Sequence, residues 1–296
     1  MLEWGHFPEV PMRTLRLLAP LASLALFAAP ATTSTEMVFT STDGFVIKGT
    51  LTLPEAKGKV PVVILAHQFQ ANRSGWATLA ERLAARGIGT LAMDLRGHGA
   101  STEKNGAAVA VSGDFMASAK AVGFDHIPAD LAQAAVWLRK QPGVDGRRIG
   151  LAGASVGALS VILAAPEVKA LAVLSLSPAG NGAFPPGMHE SLRAAVLRSK
   201  TSTLVLASTA DKEATENASA LRNLPGVSLS FAEGDAHGFA YLKDRADTMA
   251  AFFGEYLTYH HLGKAYGAPS AKPSAMSKNV INDRTLAERT KAEHPK

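Results

Sequence analysis

The 296-residue chain contains no cysteine. That absence excludes disulfides, thiolate metal sites and a cysteine nucleophile, so the folded part must be held together by its core. Several ligand signatures are missing as well: there is no His-Glu-x-x-His pattern, no phosphate-binding P-loop and no glycine run of the dinucleotide type. Neither a metal nor a nucleotide cofactor is expected. No internal repeat occurs, and no long low-complexity segment precedes the C-terminal tail. A basic face is lacking too, despite a net charge of +5. The tail from Lys264 onward holds seven Lys/Arg against three Asp/Glu, and Glu3 and Glu9 balance Arg13 and Arg16, which leaves the body of the chain at about +1. A nucleic-acid partner would need a basic stripe on a folded surface, and none is expected here.

The ends differ from the body. Met1 and Met12 are both candidate initiators. Met12 is followed by Arg13 and Arg16, an uncharged apolar run over 17–29, and Ala29-Pro30-Ala31. A basic start, an apolar middle and a small-residue site describe a secretory signal peptide over 12–31. The run is too short to span a bilayer and contains Pro20, so an exported protein, periplasmic or secreted, without stable membrane insertion after cleavage, is expected. Residues 264–296 turn to Ala, Pro, Ser, Lys and Thr and are expected to form a disordered basic tail. Between the ends, 36–260 suffices for one sizeable α/β domain and is too short for two.

Within that span, strand patterns at 37–40 and 45–53 flank the hairpin-type turn Thr42-Asp43-Gly44. The continuous apolar run over 60–66 suits a strand buried on both faces. A helix over 76–85, a strand over 89–93 and a helix over 130–138 follow. Further strands are expected at 170–176, 202–208 and 227–231, with a last helix over 242–259. This alternation predicts a mostly parallel sheet with helices on both faces, and active groups then collect beyond the carboxyl ends of the strands.

The most informative stretch is Arg147-Arg148-Ile149-Gly150-Leu151-Ala152-Gly153-Ala154-Ser155-Val156-Gly157. A strand runs directly into Gly-x-Ser-x-Gly, and a small-residue helix follows. Such a strand-to-helix turn presents a serine hydroxyl on a strained backbone, with glycines where side chains would collide. The helix start aims free N–H groups at a developing oxyanion. Ser155 is thus a candidate nucleophile, and it needs a base. Of nine histidines, His6 and His294 are terminal, and His260 and His261 end the last helix. His126 lies in a loop-like insertion, His189 precedes a helix, and His67 and His98 come before Ser155. His237, in the loop between the last strand and the last helix, is the well-placed base. Asp211, just after the strand over 202–208, is the candidate acid that orients it. Its rivals rank lower: Glu213 lies within the following helix, and Asp235 is too near His237 in sequence to fold back.

The order Ser155, Asp211, His237, the Gly-Ala-Ser-Val-Gly turn and Asp94-Leu95-Arg96-Gly97-His98-Gly99 resemble the α/β-hydrolase superfamily over about 36–260. Within it the chain is similar to the dienelactone-hydrolase, esterase and prolyl-oligopeptidase-like branch. The resemblance implies an α/β-hydrolase fold in which His98 is part of a structural turn. It implies an oxyanion hole formed by the N–H groups of Val156 and Phe69. The loop His67-Gln68-Phe69-Gln70-Ala71-Asn72 departs from the His-Gly-Gly-Gly form of lipases, with Gln68 narrowing it. Dienelactone hydrolases themselves use cysteine, so Ser155 argues against that activity. The expected function is a serine hydrolase cleaving small or medium carboxylic esters through an acyl-enzyme. A peptidase or amidase of the same fold and a non-catalytic binding member are the alternatives. Residues 177–188 are too short for a large helical cap, and 100–127, with Phe115 and Phe124, are the expected acyl-pocket wall.

Overall fold

The computed structural model describes residues 30–258. Most of the expected signal segment, the whole tail over 264–296, and the last two residues of the expected domain lie outside the described residues. Among the described residues ten strands and seven α-helices form one layered α/β unit. Strands β1 (Thr32–Thr40) and β2 (Phe45–Pro54) make a hairpin whose register runs from Thr32 opposite Pro54 to Thr40 opposite Val46. β1 starts five residues before the expected strand. Its first residues, Thr32 to Glu36, are exposed and polar and carry no burial period; pairing with β2 is what defines them.

The core of the sheet comprises β3 (Val60–Ala66), β4 (Gly89–Asp94), β7 (Val144–Ala154), β8 (Ala172–Leu176), β9 (Ser202–Ser208) and β10 (Val227–Ala232). They lie in the order β10-β9-β8-β7-β3-β4 and are parallel, and β2 pairs antiparallel with β4. The sequence of β3, Val-Pro-Val-Val-Ile-Leu-Ala, is buried throughout. Its Val62, Ile64 and Ala66 face one core and Val63 and Leu65 the other, which is why a strand covered on both faces shows no alternation. Helices α1 (Ala77–Ala84) and α7 (Leu242–Leu257) cover one face. Helices α3 (Ile127–Leu138), α4 (Val156–Val168), α5 (Met188–Ser199) and α6 (Lys212–Ala220) cover the other.

Several boundaries differ from the expected ones. The helix expected over 76–85 is a 3₁₀ turn, Arg73–Trp76, leading into α1. α3 starts at Ile127, and His189 sits in the first turn of α5 instead of before it. The insertion over 100–127 is more ordered than its small-residue composition suggests. It contains the short strands β5 (Glu103–Lys104) and β6 (Ala107–Ala108) and a helix, α2 (Phe115–Val122). Asp114 caps α2 through the Ala117 N–H at 2.7 Å. His126 closes a 3₁₀ turn there. The segment over 177–187 contains a 3₁₀ turn, Asn181–Ala183, and no helical cap is inserted there among the described residues.

Arg96, only 1% exposed, fastens this side of the sheet. Its guanidinium donates to both carboxylate oxygens of Asp130 on α3 at 2.7 and 2.8 Å, and to both of Asp43 in the β1–β2 turn at 3.0 and 3.1 Å. It also donates to the Val122 carbonyl at 3.2 Å and stands 5.0 Å from the Phe45 ring centroid. Burial opposes ionisation of Asp43, but hydrogen bonds from Arg96, Ser41 and Lys104 outweigh it and hold that carboxyl well below the usual carboxylate range. Removing one partner of such a buried pair leaves an uncompensated charge. Asp130→Ala should therefore lower the free energy of unfolding by about 3–5 kcal/mol, read from urea denaturation. A loss under about 1 kcal/mol would show that Arg96 is satisfied without Asp130.

Candidate active site

The carboxyl ends of β3, β4, β7, β8, β9 and β10 converge on one rim. On that rim β7 turns into α4 at Ser155, which has φ 54° and ψ −118°. A non-glycine residue with this backbone is strained, and packing holds it there. A Cβ on Gly153 would run into the Gly157 carbonyl, with the Ala158 nitrogen 2.7 Å away. A Cβ on Gly157 would collide with the Ala66 carbonyl and lie 2.6 Å from that of His67. Gly153 is thus demanded by the close approach of α4 to β7, and Gly157 by that of α4 to β3. The elbow is tied to the next strand by the Ser155 N–H, which donates to the Leu176 carbonyl at 2.9 Å. The Ser155 side chain is half-buried at the start of the helix.

β9 delivers Asp211 and β10 delivers His237. Asp211 occupies the N-cap position of α6, but its side chain makes no cap hydrogen bond. Its Oδ2 instead lies 2.6 Å from His237 Nδ1. The rivals are engaged elsewhere: Glu213 Oε1 accepts the Asn181 N–H at 2.7 Å, and Asp235 is exposed. The His237 loop passes beside the strand that leads into Ser155, where a Cβ built on Gly238 would be 3.6 Å from the Ala154 Cβ. Behind Asp211 and His237, Ser208 Oγ and Tyr241 Oη are 2.7 Å apart, and burial, opposed by hydrogen bonds from Ser208 and Ser177, raises the Tyr241 phenol above its ordinary value.

The loop after β3 is set by two buried histidines. The Leu95 N–H donates to His67 Nε2 at 3.0 Å, so the ring proton sits on Nδ1, which donates to the Gln68 carbonyl at 2.7 Å. His98 repeats the scheme: its Nε2 accepts the Gln70 N–H at 3.2 Å, and Nδ1 donates to the Arg96 carbonyl at 3.0 Å. Burial, with a smaller contribution from His98, pushes His67 down to about 3. In a trans peptide the carbonyl and the next N–H point opposite ways. Drawing the Gln68 carbonyl onto His67 therefore turns the Phe69 N–H away from that ring. Among the described residues no protein acceptor takes the Phe69 N–H. Val156 opens α4, so its N–H has no partner within the helix.

The residues of 100–127 divide. Phe115 stands edge-on to Phe69, with ring centroids 5.2 Å apart, and a Cβ on Gly180 would be 2.8 Å from its Cζ. Phe124, expected with it in the pocket wall, is fully buried and stacks on His98 at 5.8 Å. It is core, because the 3₁₀ turn that carries it folds under the Arg96 hub. A cavity of about 660 Å³ lined by Lys59, Arg139, Asp145, Arg147 and Lys169 lies at the opposite end of β7, remote from Ser155. No group of three or more potential metal ligands occurs among the described residues.

Residues 18–179 match the family model of acetyl xylan esterase (AXE1). The chain belongs to that family. A thiohydrolase, aneE, from Aspergillus aculeatus is 30% identical over 185 residues, covering 61% of this chain and 52% of the relative. The chain thus spans about half the length of that curated relative. Among solved structures, acetyl xylan esterase 1 from Thermoanaerobacterium is 20% identical with a TM-score of 0.55, over 77% of this chain and 89% of the other. A dienelactone hydrolase from Anabaena variabilis is 23% identical with a TM-score of 0.56, over 76% and 99%. These likenesses establish the α/β-hydrolase fold.

The neutral state of His67 gives this family member an acid sensitivity. In the unfolded chain a histidine protonates near 6.5, whereas folded His67 stays neutral down to about 3. Between those values the unfolded state binds the extra proton, so the contribution is intact above pH 6.5 and is lost as pH falls. The unfolding free energy of His67→Gln should fall less steeply than that of the unsubstituted protein between pH 6 and 4, by about 1.4 kcal/mol per pH unit. Parallel slopes in urea melts would show that His67 takes up its proton in the folded state.

Proposed function

We propose that this acetyl xylan esterase family member is an exported serine esterase in which Ser155, His237 and Asp211 act as a triad. The observation that carries the reading is the 2.6 Å contact of His237 Nδ1 with Asp211 Oδ2, beside a serine on a strained strand-to-helix turn. In this mechanism Asp211 accepts a hydrogen bond from the His237 Nδ1–H, which fixes the tautomer and leaves Nε2 as the base. Nε2 takes the Ser155 hydroxyl proton as Oγ attacks the acyl carbonyl carbon. The carbonyl π electrons move onto oxygen, where the Val156 and Phe69 N–H groups receive the charge. Collapse breaks the ester C–O bond, and His237 returns the proton to the departing alcohol. Water, deprotonated by His237, then attacks the acyl-enzyme carbonyl carbon; collapse breaks the bond between Ser155 Oγ and the acyl carbon, and His237 returns its proton to Oγ as the acid leaves. Phe115, set between Phe69 and Gly180, forms the acyl-side wall.

The same attack cleaves a thioester, with a thiol leaving in place of an alcohol, and the thiohydrolase relative favours including that substrate. A panel of acetyl, butyryl and octanoyl esters beside acetyl and butyryl thioesters separates the two. We further propose cleavage before Thr32, where the first strand of the sheet begins.

A fluorophosphonate probe should label Ser155 and leave Ser155→Ala unlabelled, with turnover in that variant reduced by several orders of magnitude. A folded protein that is unlabelled, or labelled stably elsewhere, would overturn the serine mechanism. Asp211→Asn should cost up to about 10⁴-fold in turnover by favouring the wrong imidazole tautomer. Glu213→Gln keeps an oxygen for the Asn181 N–H and should cost far less, as should Asp235→Asn; the reverse ranking would remove Asp211 from the triad. Mass spectrometry of protein from the native host should find a mature N-terminus close to Thr32, and intact Met12 on cytoplasmic protein would contradict export.

A further inference from the structure

The segment bearing His237 is held on the rim by side chains. Its two following N–H groups are each captured from a different strand end. Gly238 N–H donates to Ser177 Oγ at 3.1 Å, just beyond β8, and Phe239 N–H donates to Gln68 Oε1 at 2.9 Å, just beyond β3. The fit around the Gln68 amide is tight. Gly238 has φ 52°, and a Cβ there would strike Gln68 Oε1 and lie 3.1 Å from its Cδ. The Phe239 ring completes the grip. It fills the space above Gly75, where a Cβ would be 2.8 Å from its Cζ, and meets Trp76 edge-on with centroids 4.9 Å apart. Gly75 and Trp76 belong to the 3₁₀ turn that continues the loop after β3. The loop carrying Phe69 and the loop carrying His237 therefore grip each other twice, once through an amide and once through a ring.

Gln68 is committed at both ends. Its backbone carbonyl accepts from His67 Nδ1, which orients the Phe69 N–H, and its side-chain carbonyl accepts from Phe239, two residues after His237. We propose that Gln68 is a positioning residue that sets the oxyanion donor and the general base relative to one another. The proposal rests on the roles given above to Phe69 and His237. An amide suits the task for an electrostatic reason. Its oxygen accepts the hydrogen bond without adding a charge, whereas a carboxylate at that place would favour the protonated imidazole.

The test compares Gln68→Met, which keeps length and removes the acceptor, with Gln68→Glu, which keeps the acceptor and adds charge. Steady-state hydrolysis of p-nitrophenyl acetate is followed from pH 5 to 9, beside Ser155→Ala and His237→Ala. Gln68→Met should lower kcat by about 10- to 100-fold, as a misplacement of about 1 Å does, with KM changed by less than about threefold. Gln68→Glu should recover most of kcat at high pH, with the acid limb of its kcat/KM profile displaced to higher pH. Wild-type kcat in Gln68→Met, or an unshifted limb in Gln68→Glu, overturns the positioning role while Ser155→Ala and His237→Ala remain inactive. Should Gln68→Met not fold, the Gln68→Glu profile decides alone. Wild-type turnover in Ser155→Ala or His237→Ala would instead overturn the triad on which the proposal rests.

Discussion

A close approach of backbone to backbone at the strand-to-helix turn governs the rest. Where α4 meets β3 and β7, the carbonyls of Ala66, His67 and Gly157 occupy the places that side chains would take at positions 153 and 157. Only glycine is compatible with that contact. The contact sets the angle at which the helix leaves the strand, and that angle forces Ser155 into a positive φ. It also presses the amino end of α4 against the strand that carries the loop over 67–72. The placement of Ser155 on the rim and the nearness of the two loops are consequences of one steric fact.

Around that contact, loops are fixed by side chains that reach across the sheet. Asp94 accepts the N–H groups of Arg73 and Ala100 at 2.8 and 2.9 Å. It thereby joins the segment after β3 to the turn after β4. His67 and His98 work in the same zone as neutral hydrogen-bonding bridges, each with one donor and one acceptor nitrogen used. Such bridges need desolvated rings, and their burial is what keeps them uncharged. Without disulfides, this web of short polar links orders the rim.

The sequence made some of this legible and hid the rest, for identifiable reasons. The parallel strands were readable because burial on both faces leaves uninterrupted apolar runs, as in β3. The elbow was readable because its glycines are sterically required. Asp211 and His237, whose side chains meet in the structure, could be singled out by position, since chain order and the carboxyl-end rule leave few candidate places. α2 was not readable: small residues such as Ala117, Ser118 and Ala119 mark no apolar face, and its start depends on the Asp114 cap. The purpose of Gln68 was also hidden. Read locally, it narrows a loop; its partner, Phe239, is 171 residues away. A link between two loops leaves no mark in the pattern of either.

Arg96 stands at the root of the segment over 100–127, holding the Val122 carbonyl near its end and Asp130 just beyond it. The other root is the Asp94 turn. Between these anchor points the hairpin of β5 and β6 and most of α2 lie near the surface, and they bear on the rim chiefly through Phe115. The exposed side chains there, such as Ala117, Lys120 and Ala121 on α2, can change without touching Asp94, Arg96 or either histidine bridge. The architecture thus sets exposed positions near Phe115 apart from the anchored turns beneath them, and a new specificity could arise in the first while the second stay as they are.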